Sequence, residues 1–97
     1  MTNQDLRVQL QENLDEAEWD WLIPHAKRDA IIVVKTGLEL IEVGAAVASD
    51  DTEKVGLWIS EALITKPSIE EIGEWNRHRT KRFYTLIVQP YVLVKAK

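Results

Sequence analysis

The sequence predicts an α+β fold, with about five helices packed on a small antiparallel sheet whose strands lie near 30–35 and 83–95. Three observations carry this. The run from Phe83 to Val94 (Phe-Tyr-Thr-Leu-Ile-Val-Gln-Pro-Tyr-Val-Leu-Val) is the densest apolar stretch, and its aromatic and β-branched residues suit a pleated, half-buried surface. Only Ala30-Ile-Ile-Val-Val34 matches its chemistry. Between the two lie Ser, Thr or Asp residues followed three positions later by Glu, each ahead of an apolar stripe at helical spacing.

Ninety-seven residues fit one domain spanning 1–97. A chain of this size buries roughly 60–70% of the surface its unfolded form exposes, enough for a single core. Hydrophobic residues at 45% and charged residues at 29% are the balance of a globular protein. The chain has no cysteine, which excludes disulfides, thiolate metal sites and cysteine nucleophiles and fits a reducing compartment. No apolar run approaches the roughly 18 residues of a membrane span, and the N-terminus lacks the basic-then-apolar layout of a signal peptide. A soluble, cytoplasmic protein is expected, with no membrane partner. The net charge of −4 is uneven: residues 1–50 carry 4 basic and 10 acidic side chains (−6), residues 51–97 carry 8 and 6 (+2). Opposite halves of two copies could attract, or the asymmetry is chance.

Leu6, Leu10 and Leu14 recur every four residues and mark a helix over about 3–13, with Thr2 and Asp5 as a start signal. Asp15 followed by Glu18 offers a second start, for a helix over about 16–23; a single long helix is the alternative. Pro24 either kinks this helix or opens a fresh turn at 25–28. Residues 30–35 form a strand apolar on both faces. Thr36 and Glu39 then read as a capping box for a helix over about 37–49, against a rival hairpin strand at 38–43. Asp50 with Glu53 and Ser68 with Glu71 start helices over about 51–63 and 69–78, the first with Val55, Ile59, Ala62 and Leu63 on its buried stripe. Gly44, Gly56 and Gly73 fall inside helices and cost about 1 kcal/mol each relative to alanine, so close approach between helices is expected at all three. Pro90 removes a ladder donor, which predicts an edge strand or a bulge at Gln89-Pro90. Such an apolar edge invites a second copy.

No cluster reaches a catalytic, metal or cofactor signature, and no cofactor is expected. His25 could act as a general base oriented by Glu18, Asp20 or Asp29, with Arg28 beside it; its alternative is a surface or capping histidine. His78 lies in the basic run 77–82 without zinc-ligand spacing. Asp50-Asp51 reads as a carboxylate pair or as helix capping. The four tryptophans are Trp19, Trp21, Trp58 and Trp75, which could pack the core or line a pocket or interface. Trp19 and Trp21 point about 200° apart on a helix, so one of them is left for an interface or pocket. The helices at 51–63 and 69–78 invite a helix-turn-helix reading, but the exposed positions of the second are acidic, and nucleic acid is not expected as a partner.

The blocks Leu14-Asp-Glu-Ala-Glu-Trp19, Trp21-Leu22, Pro24-His25, Trp58-Ile59, Pro67-Ser68 and Leu86-Ile-Val-Gln-Pro-Tyr-Val-Leu93 resemble a family of small bacterial proteins known only as domain of unknown function 2288. The resemblance covers about 6–94. Ala62 departs from it, standing where a glycine ending the helix is expected. The family implies no activity, substrate or catalytic residue. The expected function is therefore a non-enzymatic interaction or regulatory module, a homodimer with room for a further protein partner. The alternative is a small-molecule-binding protein or enzyme with a tryptophan-lined pocket near His25. Ligand or interface candidates are Trp19, Trp21, His25, Arg28, Trp58, Gln89 and Tyr91.

Overall fold

The computed structural model describes residues 3–97, so Thr2 lies outside the described residues. Its elements run α1 (Asn3–Glu12), β1 (Asp15–Glu18), α2 (Trp19–Lys27), β2 (Ile31–Val34), α3 (Leu40–Ala48), α4 (Thr52–Ser60), β3 (Ile64–Thr65), α5 (Ile69–Arg77), β4 (Arg82–Val88) and β5 (Tyr91–Ala96). The α+β class, the five helices and a strand at each of the two apolar stretches are as the sequence predicts. The sheet is larger than expected and mixed, with five strands in the order β1-β4-β5-β2-β3.

The run 83–95 is a hairpin. β4 and β5 pair antiparallel from Phe83↔Ala96 to Val88↔Tyr91, with Gln89-Pro90 as the two-residue turn and a cis bond between them. The missing N–H of Pro90 therefore falls where no ladder donor is needed. This overturns the predicted edge strand or bulge: β4 and β5 are interior strands. β2 pairs with β5 in parallel, Ile31↔Val92 to Val33↔Val94, rather than antiparallel as predicted. The long connection through α3, α4, β3, α5 and β4 gives the chain length that a parallel crossover requires.

Alternation along β4 sorts the core into two layers. Leu86 and Val88 face Val34, Leu93, Val43, Leu10 and Trp58, under α1, α3 and α4. Phe83 faces the other way, with Ile31, Val33, Val92 and Val94, under Trp19 and Leu22 of α2 and Trp75 of α5. Trp19, Trp75 and Phe83 form an aromatic trio with centroids 4.9, 5.0 and 6.0 Å apart. The Trp19 indole donates to Asn76 Oδ1 at 2.8 Å, which satisfies its only polar atom. Because α4 and α5 contribute to opposite layers and β3 lies between them in sequence, they do not form a helix-turn-helix.

Local signals held unevenly. Ser68 and Glu71 form a full capping box, each contact 3.0 Å. For α4 the cap is Asp51, accepting from Lys54 N–H, while Asp50 sits at φ +56 in the preceding turn. Thr36 and Glu39 make no box: Thr36-Gly37 is a turn, with Gly37 at φ +97, and the helix starts at Leu40. The predicted helix over 16–23 divides into β1 and the start of α2, which then runs through Pro24 to Lys27. Close approach holds at Gly44 alone of the three helical glycines, and its tight contact is with the sheet, while Leu10 of α1 stands at ordinary van der Waals distance. A Cβ at Gly44 would meet Leu86, while those at Gly56 and Gly73 would meet nothing within 4 Å. Ala62, where a glycine was expected, has φ +59.

Candidate functional site

Two hollows lie on opposite faces of the sheet. The first follows from how α2 is seated. Trp19 and Leu22 turn their side chains to the core, so Trp21 must point out, and 73% of it is exposed. His25 lies one turn further along the same face. Beside them β4 carries Ile87, 56% exposed, past the end of the helical cover. These three residues, with Asp15, Thr85 and Val92, line a cleft of about 230 Å³. The Thr85 hydroxyl donates to the Asp15 carbonyl at 3.3 Å and ties the cleft floor to β1.

The acid–base chemistry suggested for His25 is not assembled here. The Arg28 guanidinium, which can only donate, bonds to His25 Nδ1. In the neutral ring that bond occupies the basic nitrogen and leaves Nε2 carrying the proton. Each carboxylate proposed to orient the ring is engaged elsewhere: Glu18 with Arg82, Asp20 with Arg79 and Asp29 with Lys66. Nor is the cleft lined by several tryptophans. Trp19, Trp58 and Trp75 are core residues, and Trp21 is the one that reaches it.

The second hollow is a groove of about 390 Å³ between α3 and α4 on one side and β2, β3 and β5 on the other. Ile32, Val43, Val47, Val55 and Leu93 form its aliphatic walls. Tyr91 and Lys66 are exposed residues of its lining, and Gln89 is an exposed turn residue near Tyr91 in sequence. Ile59, expected in the buried stripe of α4, is 59% exposed and lines this groove. Sequence reasoning named Tyr91 and Gln89 but missed Ile87 and Lys66. Ile87 carries a readable signal: it alternates with the buried Leu86 and Val88 on a strand whose second face has only short helices to cover it. Lys66 carries none, since its position depends on where β3 ends.

Glu16 on β1, which also borders the first cleft, accepts from Lys97 at 2.6 Å and lies 3.6 Å from Arg82. The hydrogen bond from Lys97, helped by the charges of Lys97 and Arg82, holds its carboxyl below the usual carboxylate range.

Residues 5–96 match the family model described as protein of unknown function (DUF2288). Among curated proteins no match is found. A solved structure, the NMR solution structure of PA1075 from Pseudomonas aeruginosa, is similar over 96% of this chain and 85% of its own, with 27% identity and a TM-score of 0.81.

Proposed function

The chain belongs to the DUF2288 family, described as of unknown function, and we propose that it is a non-enzymatic interaction module that works as a homodimer through the Trp21–Ile87 face. The observation that carries this is a large apolar side chain left in water next to a hollow walled by Leu22, Ile87 and Val92 and rimmed by Asp15, Glu16 and His25. A two-fold interface must be self-complementary, the same patch supplying both projection and recess. Trp21 is such a projection and the 230 Å³ cleft beside it such a recess. Tryptophan is also the residue type most enriched where binding energy concentrates. His25 lines the cleft and is bonded to Arg28, so it offers a polar contact there.

Among the described residues no helix is long and apolar enough to cross a membrane. With the lack of cysteine, this supports a place in the cytoplasm.

The test is sedimentation equilibrium across a concentration series. The expected result is a reversible dimer at ~10–50 µM, typical of a modest interface. Trp21→Ala should weaken it by about 30-fold, the equivalent of a 2 kcal/mol hot spot, with the far-ultraviolet spectrum and melting of the monomer unchanged. A strict monomer throughout, or a dimer indifferent to Trp21→Ala, overturns the proposal.

A further inference from the structure

We propose that the groove between α3, α4 and the sheet binds an aliphatic monocarboxylate of about ten carbons, with Lys66 holding its head. The site lies on the opposite face of the sheet from Trp21 and is independent of dimerisation there.

Size comes first. Ligand pockets of folded proteins run from about 300 Å³ upward, and this groove offers about 390 Å³. At about 30 Å³ for each small non-hydrogen atom with its share of space, it holds about a dozen such atoms. Wall chemistry is the second constraint. Ile32, Val43, Val47, Val55 and Leu93 present only methyl and methylene groups. A ligand with a polar atom along its length would bury it without a partner, at a cost of about 1–3 kcal/mol. The occupant must therefore be hydrocarbon over most of its length, with polar atoms at one end.

The sign of that end follows from Lys66, the only charged residue lining the groove among the described residues; Thr65 next to it adds a hydroxyl. An ammonium has three donors, and in this structure Lys66 gives one to Asp29. Both partners of that pair are largely exposed, 60% and 71% by side chain, so water competes for it and it holds the ammonium weakly. A carboxylate at the mouth can share or replace Asp29 without breaking a buried interaction. Tyr91 lines the groove as an aromatic wall whose hydroxyl can hydrogen-bond at the same surface.

Asp29 makes the reading sharply testable, because it competes with the ligand head for Lys66. Its backbone has φ +59, a conformation that asparagine tolerates as well as aspartate, so Asp29→Asn removes the competing charge without disturbing the turn. Lys66→Met removes the cation and keeps the stem.

The experiment titrates the full chain with decanoate, decanol and decyltrimethylammonium, followed by amide chemical-shift mapping. Decanoate is expected to bind saturably, with shifts centred on Val47, Ile59, Thr65 and Tyr91. Lys66→Met should weaken decanoate by about tenfold, the loss of one charge-assisted hydrogen bond. Asp29→Asn should tighten it by about two- to fivefold, the strength of an exposed ion pair. Decanol should bind more weakly than decanoate and respond to neither change. Because the two variants are expected to move affinity in opposite directions, loss of folding cannot imitate the result. Four outcomes overturn the proposal: no saturable decanoate binding, preference for decyltrimethylammonium, shifts centred on Trp21 instead, or shifts at the groove that track protein concentration without ligand, which would assign it to a second copy.

Discussion

Gly44→Ala should destabilise the protein even though it improves the helix. The residue lies in the middle of α3 with its α-carbon against β4. A Cβ there would stand 2.6 Å from Leu86 Cδ2, and 3.5 Å from Leu10 Cδ1 and Val88 Cγ2. Leu86 is fully buried, so its methyl cannot swing into solvent and must move into packed neighbours. Overpacking of this kind costs about 1–3 kcal/mol, while alanine recovers about 1 kcal/mol of helix propensity. The net expectation is a loss of about 1 kcal/mol. Gly56→Ala and Gly73→Ala are the internal controls. They take the same propensity gain in open space and should each stabilise by up to about 1 kcal/mol. In a domain of this size 1 kcal/mol moves Tm by about 4–8 °C, so Gly44→Ala should melt about 4–8 °C below the parent and the controls above it. Thermal and urea unfolding followed by circular dichroism, at one fixed protein concentration so that any self-association cancels, reads this directly. A Gly44→Ala protein as stable as Gly56→Ala would refute the close packing of α3 on β4.

Ala62→Gly should stabilise. An L-residue at φ +59 costs about 1–2 kcal/mol in the left-handed region, against about 0.5–1 kcal/mol for the extra chain entropy of glycine; a lower Tm would show that the position carries no strain. Lys97→Ala should raise the Glu16 pKa toward its ordinary value, because the Lys97 hydrogen bond is the main cause of the lowering. The sign follows from linkage. A carboxylate lowered by folding contributes stability above its unfolded pKa, and that contribution is lost as pH falls through the folded value. The variant should therefore lose part of the acid-limb dependence of stability. A Glu16 carboxyl titration by NMR that is the same in both proteins would remove Lys97 as the cause.

What could be read from the sequence was what short-range chemistry decides. The two β-branched runs became adjacent strands because few other residues in the chain suit a pleated, covered surface. Ser68 and Glu71 became a capping box because both partners lie within one helical turn. Reading failed where a distant segment decides. Asp15-Glu-Ala-Glu18 is helix-favouring by composition, yet it forms β1 because β4 lies alongside and Arg82 and Lys97 meet its carboxylates. Pro90 argued for an edge only until the hairpin placed it in a turn. In the candidate sites, the outward direction of one tryptophan followed from helix geometry alone. The partners of His25 did not, because each carboxylate near it in sequence is held by a base far away.

The charge asymmetry between the two halves of the chain is met by the same long-range pairing. Acidic residues 1–50 and basic residues 51–97 invite a reading in which two copies attract. Among the described residues five ion pairs instead join the two halves inside one chain: Asp29 with Lys66, Asp20 with Arg79, Glu16 and Glu18 with Arg82, and Glu16 with Lys97. Each is exposed and contributes little to stability; their larger effect is on register. Glu16 and Glu18 lie on one face of β1, opposite Tyr84 and Arg82, and a slip of one residue would carry both carboxylates to the face away from Arg82. The same charges guard the open side of the sheet. β1 presents an acidic edge, and the edge at β3 is two residues long and soon followed by Pro67; both features discourage strand addition. Neither sheet edge therefore favours a second copy, which is why the proposed dimer is placed on the Trp21–Ile87 face, where apolar side chains rather than backbone are left exposed.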